Sequence, residues 1–382
     1  MAITPKQLDI QGAYIQDAYM ALEEELIEML VKRLNAKTFT ELSQDTVFQW
    51  QVEKLQQLNM LNDGTITELV NEVFRYTEEH LKKLIVETGR QIGIEADKEF
   101  SQLLDVPQKP WNNLDQVLNQ YFESQWLDLE NHVNQTLITT NYKDNSLVKM
   151  YQQVLNDTVT KTLTGFQAPD KAFRSSIYEM VQKGIMSSFK DVSGREWSIE
   201  RYTRMIIKTT TNRVYNDLRI ERGHDYGIVT ALMSSHAAAR KACAPIQGGW
   251  VLTVKTEDAP KEFQNIPSIY DFGYGKPEGT RGINCNHRYY IGVPGVNKNN
   301  IPKPPSPEEA MKNAEIVAKQ RRLEVSIRNA KKSLNAANVM NNKEDIDHFN
   351  LLIRRRQATL RQFIKDNDSL LHRDYSREQV YS

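Results

Sequence analysis

The chain has 382 residues, 40% of them hydrophobic and 26% charged, and 49 Lys and Arg balance 49 Asp and Glu. That length predicts two or three domains, and a formal charge of zero excludes a global field that draws in nucleic acid or membrane, so any electrostatic partner must meet a local patch. No apolar run is long enough to span a bilayer, the opening residues lack the apolar core of a signal peptide, and two cysteines are too few for a disulfide scaffold, so a reducing compartment is expected.

Few glycines and many Leu, Gln, Asn and Glu predict helix through the first half. Ile15, Tyr19, Leu22, Leu26, Met29 and Leu30 recur at steps of three and four over 13–36, the period of an amphipathic helix. Asp45 is expected to cap a second helix carrying Val47, Trp50, Leu55 and Leu58. Asp63 and Gly64 are expected to break it. A third helical stretch, 67–104, is expected to bend near Gly89 and Gly93. Two prolines in 106–111 remove donors and fix the backbone, giving a firm break. Helical pattern resumes over 114–139, 146–163 and 170–189. The expectation for 1–195 is an elongated helical bundle or arm.

Ser198 and Glu200 open a further helix with an Arg- and Thr-rich surface, ending near Gly223. The pattern then changes. The stretches 227–233, 250–254 and 288–293 read as short buried strands. Glycines and prolines between them mark loops. Residues 196–296 therefore read as a small α/β module. A Pro-rich linker, 297–307, has an extended bias. Two helices follow, 308–337 and 345–366, whose apolar stripes suit an antiparallel hairpin with coiled-coil character. Between Lys312 and Lys365 thirteen Lys or Arg stand against five Asp or Glu, most densely at Arg354, Arg355 and Arg356. A solvated helical face is the simpler reading, and a phosphate-contacting surface is the alternative. The predicted fold class is mainly α, with the hairpin occupying 308–382.

The chemistry concentrates in two segments of the module. The first runs from Ser234, Ser235 and His236 through Arg240 and Cys243 to Gln247, Gly248 and Trp250. The second runs from Gly279 through Gly282, Asn284 and Cys285 to His287 and Arg288. His236, Cys243, Cys285 and His287 are ligands that zinc accepts. On extended chain, Cys285 and His287 would face the same side. One reading is therefore a single structural zinc. The other is two buried thiols, with histidines bonded to backbone carbonyls. A thiolate paired with histidine, or Ser234 or Ser235 beside His236, would permit a hydrolase or nuclease. No acidic orienter or oxyanion loop accompanies them, so catalysis is not expected. The amides and glycines look like turn chemistry that clasps a marginal core.

In these residues the sequence resembles the phage minor capsid proteins, the Mu F-like head morphogenesis group, and within it the minor capsid protein 2 branch. The likeness rests on Ser235, His236, Arg240, Cys243, Gln247 and Gly248 in order, then Gly282, Asn284, Cys285 and His287. A lead-in helix containing Asn212, Arg213, Tyr215 and Asn216 precedes them. The resemblance implies a low-copy virion component in the capsid interior, made in the host cytoplasm. Its implied partners are the portal or major capsid protein, with packaged double-stranded DNA as a further candidate. Its implied role is in head assembly, packaging or delivery of the genome. It implies no enzymatic activity. Some relatives carry a toxin domain after the core, but the tail here is only a helical hairpin. DNA retention through that hairpin is the remaining alternative function.

Overall fold

The computed structural model describes residues 3–58, 64–141 and 143–380. In chain order the helices and strands are α1 (Pro5–Asn35), α2 (Val47–Leu58), α3 (Gly64–Lys82), α4 (Thr88–Leu104), α5 (Leu114–Leu129), α6 (Gln135–Ile138), α7 (Ser146–Leu163) and α8 (Pro169–Lys183). A hairpin of β1 (Met186–Lys190) and β2 (Glu196–Ser198) leads into α9 (Ile199–Asp225). Three short strands, β3 (Thr230–Met233), β4 (Trp250–Leu252) and β5 (Tyr289–Ile291), precede α10 (Pro307–Val339) and α11 (Lys343–Lys365). The fold is mainly α, as the periodicity predicts. No described helix is long and apolar enough to cross a membrane.

Local chemistry explains where several elements start and stop. Ahead of α2, Ser43 and Thr46 bracket Asp45, and each hydroxyl accepts the other residue's backbone N–H at 3.2 Å. Asp63 lies outside the described residues. The expected bend at Gly89 and Gly93 is replaced by a π-helical turn, Lys83–Glu87. Gly89 instead admits a neighbour, because an added Cβ would lie 2.6 Å from Leu118 Cδ2. A second π turn, Glu130–Asn134, interrupts the helix expected over 114–139. The helix expected over 170–189 stops at Lys183, because Gly184 takes φ +74° and redirects the chain into β1.

The chain forms two compact units, each built from three separated segments. They do not follow the expected linear partition. α1, α3, α5, α9 and α10 each contribute residues to both units, a sharing that local pattern does not reveal.

One unit comprises Met1–Ile15, Glu78–Trp126 and Met205–Lys319. Its sheet has the order β4-β3-β5, antiparallel throughout, with Ala231 opposite Val251 and Ile291. β3 is central and every residue in it is buried. The sheet packs with Ala96, Phe100, Ile220, Tyr226 and Ile228 into one core that also contains Cys243 and Cys285. Arg222 is buried on α9 and pairs with Asp97, Asp225 and the Lys109 carbonyl. Its guanidinium also lies over the Trp111 and Tyr226 rings. A buried cation satisfied on every side fixes one helix against another far more tightly than a surface pair would.

The other unit comprises Gln16–Thr77, Leu127–Arg204 and Gln320–Ser382. Trp50 meets Phe173 edge-on at 5.5 Å, and the buried Tyr19 hydroxyl donates to Asn134 Oδ1 at 2.8 Å. α10 and α11 form the expected antiparallel hairpin. Asn342 caps α11 by accepting from Asp345 N, and Arg356, thirteen residues after the turn, donates to the Ser326 carbonyl, thirteen before it. Ile327, Phe349 and Leu360 of the predicted stripes are buried.

A charged cluster sits inside this second unit. Lys332 Nζ lies 3.1 Å from Glu24 Oε1 and 3.2 Å from Glu200 Oε2. Arg328 and Arg204 reach Glu200 Oε1 at 3.3 and 3.5 Å. Glu23 Oε1 accepts the Ile185 N–H at 2.6 Å, while its Oε2 is buried and unpartnered. Burial pushes the Glu23 carboxyl up to about 7, against the pull of Lys332. Burial also works against Glu200, yet Lys332, Arg328 and Arg204 hold it below the usual carboxylate range.

Candidate functional site

The second motif segment is held by the middle of α9. Asn212 and Asn216 are four residues apart, so they share one helix face. The Asn212 amide donates to the Cys285 carbonyl. Asn216 Nδ2 donates to the His287 carbonyl at 3.2 Å, and its Oδ1 accepts the Tyr289 N–H at 3.0 Å. Two neutral side chains thereby satisfy three buried backbone groups that no sheet ladder reaches.

The approach to Cys285 is shaped by unusual backbone. Arg281 and Asn284 adopt left-handed φ values of +58° and +59°, which Asn tolerates better than most residues. Gly282 passes so close to the preceding loop that a Cβ would lie 2.2 Å from the Pro277 carbonyl oxygen. The Arg281 guanidinium pairs with Asp217 and accompanies the Tyr274 ring. Arg240 binds the same loop from the other segment, donating to the Ile283 carbonyl at 2.6 Å and the Pro277 carbonyl at 3.3 Å.

The first segment turns tightly. Cys243 N donates to the Arg240 carbonyl at 2.9 Å, and Gln247 N to the Cys243 carbonyl at 3.0 Å. Gly248 takes φ +74° with its N–H on the Met233 carbonyl, extending β3, and a Cβ there would press into Pro304 at 2.7 Å. Ser234 Oγ accepts the Arg288 N–H at 2.9 Å. Ser235 is half-buried beside it.

The structure brings three of the four expected ligands together. Cys243 Sγ and Cys285 Sγ lie 3.9 Å apart, and Cys285 Sγ lies 3.5 Å from His287 Nδ1. All three residues are buried, and their ligand atoms lie within 4.8 Å of one another. Gln247 Oε1 accepts from His236 N at 2.9 Å and meets His287 Nε2 at 3.1 Å. His236 stands just outside this group, its ring edge-on to His287 with centroids 4.5 Å apart and its Nε2 3.3 Å from Ser234 Oγ. Burial, then the neighbouring His287, holds the His236 imidazole below the usual histidine range. The two thiols titrate as a pair. The bond from Cys243 favours a thiolate at Cys285, and Cys243 accordingly keeps its proton.

The residues that sequence reasoning missed are those that hold the segments: Asp217, Thr280 and Tyr289, whose hydroxyl lies 2.9 Å from Thr280 Oγ1. Asn212 and Asn216 stood in the sequence only as part of a lead-in helix. Their spacing of four was the available signal. Elsewhere, Arg354 and Arg355 are exposed on α11, whereas Arg356 turns inward to Ser326.

Comparison with known proteins is consistent along almost the whole chain. The profile described as "Phage minor capsid protein 2" matches residues 3–365. A protein named "Structural protein" from Lactococcus phage LL-H is 35% identical over 368 residues, covering 96% of this chain and 98% of that protein. A second "Structural protein", from Lactococcus phage mv4, is 39% identical over 121 residues, 32% of this chain and 97% of its own length. No solved structure matches. With a full-length relative and a family profile spanning both motif segments, the chain belongs to the phage minor capsid protein 2 family.

Proposed function

We propose that the chain is a non-enzymatic component of the phage head interior, bound to the portal or the inner shell, that supports head assembly and genome packaging. The observation that carries this reading is the direction of the signature side chains. Arg240, Gln247, Asn212 and Asn216 are committed to the chain's own backbone or to one another's supports. A catalytic site would instead present such groups to a substrate. Cys243 and Cys285 are buried, so neither thiol meets a substrate from solvent. The exposed Arg354 and Arg355 on α11 suit sequence-independent contact with packaged DNA.

The test is quantitative mass spectrometry of purified, DNA-filled particles, combined with chemical cross-linking. The expected result is this chain at a small fraction of the major shell protein's copy number, cross-linked to the portal or the inner shell. Particles purified to homogeneity without it would overturn the reading.

A further inference from the structure

We propose that Cys243 Sγ, Cys285 Sγ and His287 Nδ1 hold one structural zinc ion. The first argument is metric. Tetrahedral zinc binds thiolate at about 2.3 Å and imidazole nitrogen at about 2.0–2.1 Å, so the ligand edges should be about 3.8 Å between sulfurs and about 3.5 Å from sulfur to nitrogen. The observed edges are 3.9 and 3.5 Å. Two thiols packed only as apolar core need not adopt either spacing.

The second argument is the histidine's tautomer. Gln247 Oε1 takes the His236 backbone N–H, which can only donate, so that amide atom is fixed as the acceptor. The His287 nitrogen facing the same oxygen, Nε2, therefore carries a proton. That leaves the Nδ1 lone pair aimed at the sulfurs. An outer amide that fixes the tautomer of a ligating histidine is the usual support of a metal site.

The third argument is rigidity. Asn212 grips the backbone of Cys285, Asn216 grips that of His287, and the 240–247 turn fixes Cys243. The ligands are thus placed before any ion arrives. Burial makes the ion structural: Cys243 is 0%, Cys285 6% and His287 4% exposed. The cavity touching Cys285 and His287 holds only about 10 Å³, too small for a substrate. A divalent cation would also neutralise two thiolates that are costly to bury alone. His236 stands outside the ligand group, so the fourth position falls to water. On binding, Cys243 releases its proton to solvent, Cys285 already favouring the thiolate, and no redox change occurs.

The inference does not depend on the capsid reading, because its readout is the metal content of the isolated full-length chain. Protein purified without chelator is analysed for metals by mass spectrometry, and a cobalt-exchanged sample is examined by absorption spectroscopy. The expected result is roughly one zinc per chain surviving dialysis, with cobalt giving thiolate charge-transfer and tetrahedral ligand-field bands. His287→Ala and Cys285→Ser should each lower zinc at least tenfold. The cobalt spectrum of the unaltered chain keeps the test valid if a variant fails to fold. Zinc-free protein whose cobalt form lacks thiolate bands overturns the proposal, whether the two thiols are found free or joined as a disulfide.

Discussion

The motif segments of one unit and the charged cluster of the other solve the same problem, polar groups in a dry interior, by opposite means. In the unit holding the motif segments, neutral amides of Asn212, Asn216 and Gln247 cap irregular backbone. In the other, Lys332, Arg328 and Arg204 face Glu24 and Glu200, with Glu23 beside them. Neutral bonds are insensitive to pH and salt, and each contributes modestly. A desolvated charge cluster contributes little net stability when complete, because desolvation offsets the attraction, yet it fails badly when one member is removed. The backbone of the motif segments is therefore held with little dependence on conditions, although the same unit also buries the Arg222 and Arg281 ion pairs. The charged unit is built with a latent dependence on conditions.

The comparison breaks most sharply at Lys332. Lys332→Met should destabilise the protein by about 3–5 kcal/mol at pH 8, because Glu24 and Glu200 would remain buried without their shared cation. Denaturant unfolding measures this directly, and a loss below about 1 kcal/mol, the level of an exposed pair, would show the cluster to be solvent-relaxed. Asn216→Ala is the matching test of the neutral unit. It strands the His287 carbonyl and the Tyr289 N–H, an expected cost on the order of 2–4 kcal/mol. Asn216→Asp keeps the acceptor for Tyr289 but buries a carboxylate opposite the His287 carbonyl, so it should cost at least as much. A loss below about 1 kcal/mol for Asn216→Ala would contradict the paired-bond account.

Glu23 sharpens the contrast in pH. Its folded-state pKa is raised to about 7, so between the ordinary carboxylate range and neutrality the folded chain holds a proton that the unfolded chain has released. Stability from this group is present in acid and lost as pH rises toward about 7. Glu23→Gln keeps an oxygen for Ile185 and cannot ionise. Its advantage over the unaltered chain should grow from near zero at about pH 4.5 to about 3 kcal/mol at pH 8. Parallel stability curves for the two proteins would rule this out. The smallest effect on folding is expected at the exposed arginines. Arg354→Glu with Arg355→Glu should change stability by no more than about 0.5 kcal/mol. The same pair should weaken retention on DNA-cellulose and flatten its salt dependence. Unaltered retention would remove α11 from the list of DNA-facing surfaces.

Much of this was legible in the sequence, and the rest fails for identifiable reasons. α7 matches the expected helix at both ends, and the three strands of the small sheet fall inside the stretches read as buried strand. These are elements whose local periodicity agrees with their environment. The β1–β2 hairpin was missed because Met186–Lys190 is short and half polar, and Asp191 organises its turn by accepting the Ser193 and Arg195 N–H groups. The ligand candidates Cys243, Cys285 and His287 could be named from residue type alone. Their mutual distances could not, because they depend on Asn212 and Asn216, some 70 residues earlier. His236 shows the converse: residue type nominated it, but geometry places it against the His287 ring and outside the ligand group. The partition of the chain was illegible because five helices serve both units, and periodicity does not say which neighbour a helix will meet.

That interleaving sets a timetable for synthesis. The unit that begins at Gln16 cannot close until Gln320–Ser382 has left the ribosome, and roughly 240 residues separate Thr77 from Gln320. At ordinary elongation rates this delay is on the order of ten to fifty seconds. Throughout it, the apolar face of α1 and the carboxylates of Glu23 and Glu24 wait without Lys332. A prematurely terminated chain would therefore lose the closing segment of a core rather than a dispensable tail.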